Sequence, residues 1–188
     1  LILITSRPHQ LPATVLSRCQ HVRFNPLRRE TIASFLEEKL SLDRKSAHSI
    51  ALSSGGSIGK ARAMNDESYL TTRATVLDMI ARIKTKDPLK LLSAVNDFGQ
   101  ERKDIMERLG ILMTGYRDAL VYKETGDADN LINQDYIDIV KSVAESESGR
   151  DIVNCIRAVD RASHTINQNA NKQLTLEVMM FRLGRYNE

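Results

Sequence analysis

The chain contains one run that reads as a buried β-strand, Leu1-Ile2-Leu3-Ile4, and no second convincing one. Four consecutive apolar residues, two of them β-branched, give way to polar residues and Pro8. A lone strand has no ladder for its backbone N–H and C=O groups, so it cannot be a sheet of this chain's own. The expectation is that this run belongs to a larger α/β domain whose other strands lie outside the sequence. The rest of the chain must then fold on helices. Gly and Pro number only 9 and 4, too few for a protein of many tight turns, while Leu, Ala, Ile, Lys, Arg and Glu dominate. With 41% hydrophobic and 27% charged residues in 188, the composition is that of a globular chain of one large or two small domains.

The apolar periodicity fills in the helices. After the prolines at 8 and 12, residues 13–17 suit a single helical turn, and Val22 and Phe24 alternate as a brief extended segment. From Arg29 to Leu40, Ile32, Phe35, Leu36 and Leu40 share one face. Asp43 is placed to cap a second helix and Ser57, after the Gly55-Gly56 break, a third. Beyond Asn65-Asp66-Glu67 the spacing predicts helices over 69–84, 88–99, 104–123 and 136–144. A long one then begins after Gly149, and a last one covers 174–185. The strongest carries Ile105, Leu109, Leu112, Met113, Tyr116 and Leu120. Met79, Met106, Met113, Met179 and Met180 read as core filler.

Several functions are disfavoured at once. Cys19 and Cys155 belong to no CxxC pair and the four histidines show no ligand spacing, so no metal site or disulfide scaffold is expected and a reduced, cytoplasmic chain is. No apolar run reaches the roughly 20 residues of a membrane span. The net charge of +3 is spread among interleaved acids and bases, which permits nucleic-acid contact without arguing for it. No Gly-rich phosphate loop or acidic Mg²⁺-holding strand is present, so no cofactor of the chain's own is expected.

The stretch that carries chemistry runs from Thr5 to Gln20. In open α/β sheets, groups at strand C-termini face the ligand crevice, which would put Thr5 and Ser6 near a nucleotide held by the larger domain. Arg18 comes after a short helix that could project it from the surface. Each also has an ordinary reading: a hydroxyl pair as a turn, an arginine as a solvated charge. Cys19 reads as a small buried residue beside it.

Residues Ile4-Thr5-Ser6, Pro8, Leu11-Pro12, Thr14 and Ser17-Arg18-Cys19-Gln20 closely resemble the AAA+ clamp-loader ATPases of bacterial DNA replication. In that family a sensor-one strand runs through a Pro-rich loop into a Ser-Arg-Cys signature. The resemblance implies that Thr5 and Ser6 are sensor-one-like. It makes Arg18 an arginine finger acting in trans on the γ-phosphate of ATP held, with its Mg²⁺, by a neighbouring subunit; a fixed fork of five donors suits that charge. Residues 25–66 resemble the three-helix lid, with Ser54-Gly55-Gly56-Ser57-Ile58-Gly59-Lys60-Ala61 like the sensor-two segment. An Arg stands at the position of Gly59 in the hydrolysing subunits, and Lys60 points about 100° further round the helix. That departure favours a non-motor subunit over the motor, gamma/tau. Residues 67–188 resemble the helical collar, and Asn169-Ala170-Asn171-Lys172-Gln173-Leu174-Thr175-Leu176-Glu177 with Phe181-Arg182-Leu183 is similar to the end of non-motor chains.

The implied fold is mainly α. It comprises an AAA+ remnant over 1–24, a lid over 25–66, and an all-α collar for oligomerisation over 67–188. The implied partners are gamma/tau and delta subunits and, through the assembled loader, the sliding clamp and primed DNA; no membrane is involved. A helical interaction module unrelated to ATPases is the competing reading, with residues 1–20 matching by chance.

Overall fold

In the computed structural model, residues 2–5, 8, 11–83 and 87–184 are described. Among them there is no strand. Residues 2–5 run without regular structure, with Ile2 87% and Ile4 95% exposed, which corrects the expectation of a strand remnant. The cause is that no neighbouring strand is available to pair with them. Leu1 lies outside the described residues. Helix α1 is the single turn Ala13–Leu16. Cys19 and Phe24 are exposed. Cys19 is therefore not the buried residue the sequence suggested, because no packed element of the described chain lies over it.

A three-helix unit comes next: α2 (Arg29–Leu40), α3 (Arg44–Ser53) and α4 (Ile58–Ala63). Its core is Ile32, Leu36, Ala47, Ala51 and Ala61, flanked by half-buried Phe35, Leu40 and Ile50. Three alanines let the helices approach closely but leave only two large side chains fully buried. That is a thin core, since units below about 40 residues usually need support from outside. The α3–α4 turn requires Gly56: its φ is +84°, and a Cβ there would lie 2.4 Å from Pro26 Cβ. The Leu27 N–H donates to the Gly56 carbonyl at 2.9 Å, tying the chain's entry to this turn.

Asp43 caps α3 as the sequence predicts, accepting from the N–H groups of Lys45 and Ser46 at 2.9 and 3.1 Å. The Ser46 side chain, and then its N–H, hold the Asp43 carboxyl below its ordinary value of 3.8. A lowered carboxyl pKa contributes stability that is complete above the unfolded value and is lost as the pH falls through the folded one. The backbone amide resonances of Lys45 and Ser46 should therefore titrate below about pH 4. Asp43→Asn should abolish that titration while keeping an acceptor; flat shifts in the wild type would refute the cap.

The remaining helices are α5 (Glu67–Arg82), α6 (Pro88–Val95), α7 (Arg102–Thr125), α8 (Ile137–Ser146), α9 (Gly149–Asn167) and α10 (Lys172–Leu183). α7 is the axis: Ile105, Leu109, Leu112, Tyr116 and Ala119 recur at helical spacing and are buried against α5, α8 and α9. α10 packs on α9 and α6. Side-chain caps start α6 at Asp87, α9 at Ser148 and α10 at Asn171. Met79, Met179 and Met180 are buried, and Met106 and Met113 pack against the same core.

Helix ends shift from expectation where turns tighten. The expected helix over 88–99 stops at Val95, and a 3-10 turn, Asn96–Phe98, carries Phe98 into the core before Gly99 at φ +75°. A second 3-10 turn, Gln134–Tyr136, precedes α8. Lys84, the predicted end of α5, and Arg185, the predicted end of α10, lie outside the described residues.

Candidate functional site

The chemistry-bearing N-terminal segment is built by local contacts alone. Pro12 starts α1, and the Arg18 N–H closes it by donating to the Val15 carbonyl at 3.2 Å. The Ser17 hydroxyl donates to the Thr14 carbonyl at 3.3 Å, and His21 Nε2 to the Leu16 carbonyl at 3.1 Å. These bonds hold the turn that carries Arg18, whose side chain is exposed and enters no ion pair with a described residue. Thr5 is exposed, in a segment without regular structure. Ser6 lies outside the described residues.

Gly59 is the second residue of α4 and is exposed. A Cβ at this position would meet only Ser57 Oγ, at 3.9 Å. Packing therefore does not demand glycine: a larger side chain has room, and the position lacks a donor by sequence rather than by steric need. Exposed Lys60 is next to it, with its N–H donating to the capping Ser57 Oγ at 3.2 Å.

The most elaborate polar site was not read from the sequence. Asp118 sits on α7 with no exposed surface, in line with Ile111 and Gly115. Its Oδ1 accepts from the Ile132 N–H at 3.1 Å and from Arg117 Nη1 at 2.7 Å. Its Oδ2 accepts from the N–H and the Nδ2 of Asn133 at 2.7 and 2.8 Å. Arg117 Nη1 also donates to the Asn130 carbonyl at 2.9 Å. From α5, Arg73 donates to Asn133 Oδ1 and, bidentately at 2.7 Å, to both oxygens of Asp135. Its guanidinium lies 5.0 Å from the Tyr136 ring centre. Burial alone would pull the Arg73 pKa down, but the hydrogen bond and charge of Asp135 more than offset it and hold it above its usual value. A signal was available: Asp118 is a carboxylate on the buried side of the strongest apolar helix, which demands several donors.

Cys155 offers no reactive thiol. Burial pushes it up to about 11, against the hydrogen bond it shares with buried Tyr116. No group of three or more His, Cys, Asp or Glu among the described residues could hold a metal ion. No described helix is long and apolar enough to cross a membrane.

A thin three-helix unit joined to a six-helix bundle, with its largest polar network spent on holding a loop, makes the described chain an all-helical module. The chain belongs to the DNA polymerase III, delta subunit, C-terminal family, whose model matches residues 67–185, from the first residue of α5 to just past the end of α10. It is 28% identical over 189 residues to DNA polymerase III subunit delta′ of Bacillus subtilis, covering 97% of this chain and 56% of that protein. To subunit tau of the same organism it is 20% identical over 205 residues, covering 97% of this chain and 36% of that one. The chain thus spans about half or less of the curated relatives it matches. The resemblance to the C-terminal portion of a clamp-loader subunit is borne out by the family match and by the similarity to delta′.

Proposed function

We propose that this chain is the C-terminal part of a delta′-like clamp-loader subunit, which helps to hold the loader ring together and completes a neighbour's ATPase site. One observation carries the reading: the similarity to delta′ extends over 97% of the chain, so the Arg18 segment and the helical bundle fall within one match. In this reading residues 1–24 are the end of an AAA+ core, 25–66 its lid, and 67–188 the collar. Arg18 is the finger reaching the γ-phosphate of ATP on the adjacent subunit. Thr5 and Ser6 are sensor-one-like. ATP and Mg²⁺ are held by neighbouring subunits. The partners are gamma/tau and delta subunits, with the sliding clamp and primed DNA met through the assembled, cytoplasmic loader.

The similarity to tau supports a second reading, the motor subunit itself. Gly59 weighs against it. A sensor-two arginine would fit the open surface of α4 at that point, yet the position has no side chain to reach a phosphate.

Assembly tests the proposal directly. Co-expressed with gamma/tau and delta subunits, the chain should elute in a mixed oligomer. A folded chain that elutes alone in the presence of both would overturn the reading.

A further inference from the structure

We infer that residues 127–136, between α7 and α8, act as a strap that sets how the three-helix unit sits on the six-helix bundle. Connecting loops ordinarily run over the surface. Here Leu131 and Asn133 are buried as deeply as the core. The bundle grips the loop through Asp118, Arg117 and Arg73. The three-helix unit grips it through Ser49 of α3, whose hydroxyl donates to the Ile132 carbonyl across 83 residues of sequence.

Ile132 is where the two grips meet. Its N–H is bound by the bundle, through Asp118, and its C=O by the three-helix unit, through Ser49. The covalent connection between the two, the turn from Met64 to Asp66, is itself hydrogen-bonded back onto α4, and the Ser49 bond adds a second point of attachment far from it in sequence, so that two points rather than one set the orientation. A net hydrogen bond shifts an equilibrium by roughly two- to tenfold, enough to bias an orientation and weak enough to release it. The inference concerns the chain's own geometry and does not rest on the clamp-loader reading, which stands whichever way this test falls.

Residual dipolar couplings of the ¹⁵N-labelled chain read the orientation. In the wild type, one alignment tensor should fit the amides of residues 29–63, 67–83 and 87–183 together. In Ser49→Ala the bundle's tensor should persist while the alignment of the three-helix unit falls about twofold or more, as independent motion averages it. Ser49→Thr, which retains the hydroxyl, should restore the single tensor. Asn133→Ala should produce the same loss from the other grip. If Asn133→Ala unfolds the loop, Ser49→Ala still decides. A single tensor surviving in Ser49→Ala, or two tensors in the wild type, would overturn the strap.

Discussion

Replacing Arg18 with alanine in the full-length subunit is expected to depress hydrolysis at the neighbouring ATP site by roughly 10³- to 10⁵-fold, with the ring still assembled. The size comes from the role proposed for the group. Phosphoryl transfer leaves little covalent chemistry for the protein, so stabilising charge on the transferring group carries most of the catalysis. Arg18 is suited to this by its position: an exposed guanidinium on a hydrogen-bonded turn. Arg18→Lys should rescue poorly, because an ammonium lacks the planar fork. Total turnover of a loader with several ATP sites will fall less than the affected site does. Steady-state hydrolysis should therefore be compared with single-turnover rates at matched assembly, in the presence of clamp and primed DNA. Unchanged hydrolysis and clamp loading with Arg18→Ala would return the residue to an ordinary surface charge. The bundle carries its own packing from α5 to α10, so loss of assembly in this variant is not expected.

The second large effect is on stability. Asp118→Ala should destabilise the bundle by about 3–5 kcal/mol, because it leaves several donors at a buried site without their acceptor, at about 1–3 kcal/mol each. The carboxylate satisfies four donors, from Arg117, Ile132 and twice from Asn133. Its loss strands the buried Asn133 N–H and deprives the half-buried Ile132 N–H, while the Asn133 amide keeps only the longer bond to Thr114 Oγ1 at 3.4 Å. Against a total stability of about 5–15 kcal/mol for a domain, this change alone brings the protein near its threshold. Asp118→Asn should cost less, since one oxygen remains, although its amide nitrogen then faces other donors. Urea unfolding followed by circular dichroism measures both, with exposed Asp138→Ala as the control. A midpoint for Asp118→Ala equal to that of the control would show that the network contributes nothing.

The local features of this fold were legible in the sequence because their partners lie within a few residues. The apolar line on α7 and the caps at Asp43 and Ser57 depend on spacings of two to four, so periodicity and capping residue types find them. The 3-10 turn that buries Phe98 was missed because apolar spacing does not register where an α-helix tightens within its last turn. The loop network was missed for a different reason. Asp118 meets Asn133 fifteen residues on, and Arg73 meets Asp135 at a separation of 62, so neither pairing leaves a periodic trace. The converse holds at Ile2-Leu3-Ile4 and Cys19: their apolar character suggests burial, but burial is a relation between elements, and these residues are exposed. Of the candidate site, the turn bearing Arg18 is legible as a helical turn after Pro12; the role proposed for it rests on resemblance.

Gly115 has a consequence for how sequences of this fold can diverge. A Cβ there would lie 2.4 Å from Ile80 Cδ1 and 3.2 Å from Leu77 Cδ2, so α5 and α7 touch at the width of a single methyl group. The volume between them is shared: a side chain added at position 115 makes the tip of Ile80 move aside or give way. Alanine at 115 with valine at 80 preserves the sum, whereas either exchange alone crowds the seam or leaves a void. The two sites, 35 residues apart in the chain, are thus coupled through one small volume, and the double exchange should cost less stability than the sum of the single ones.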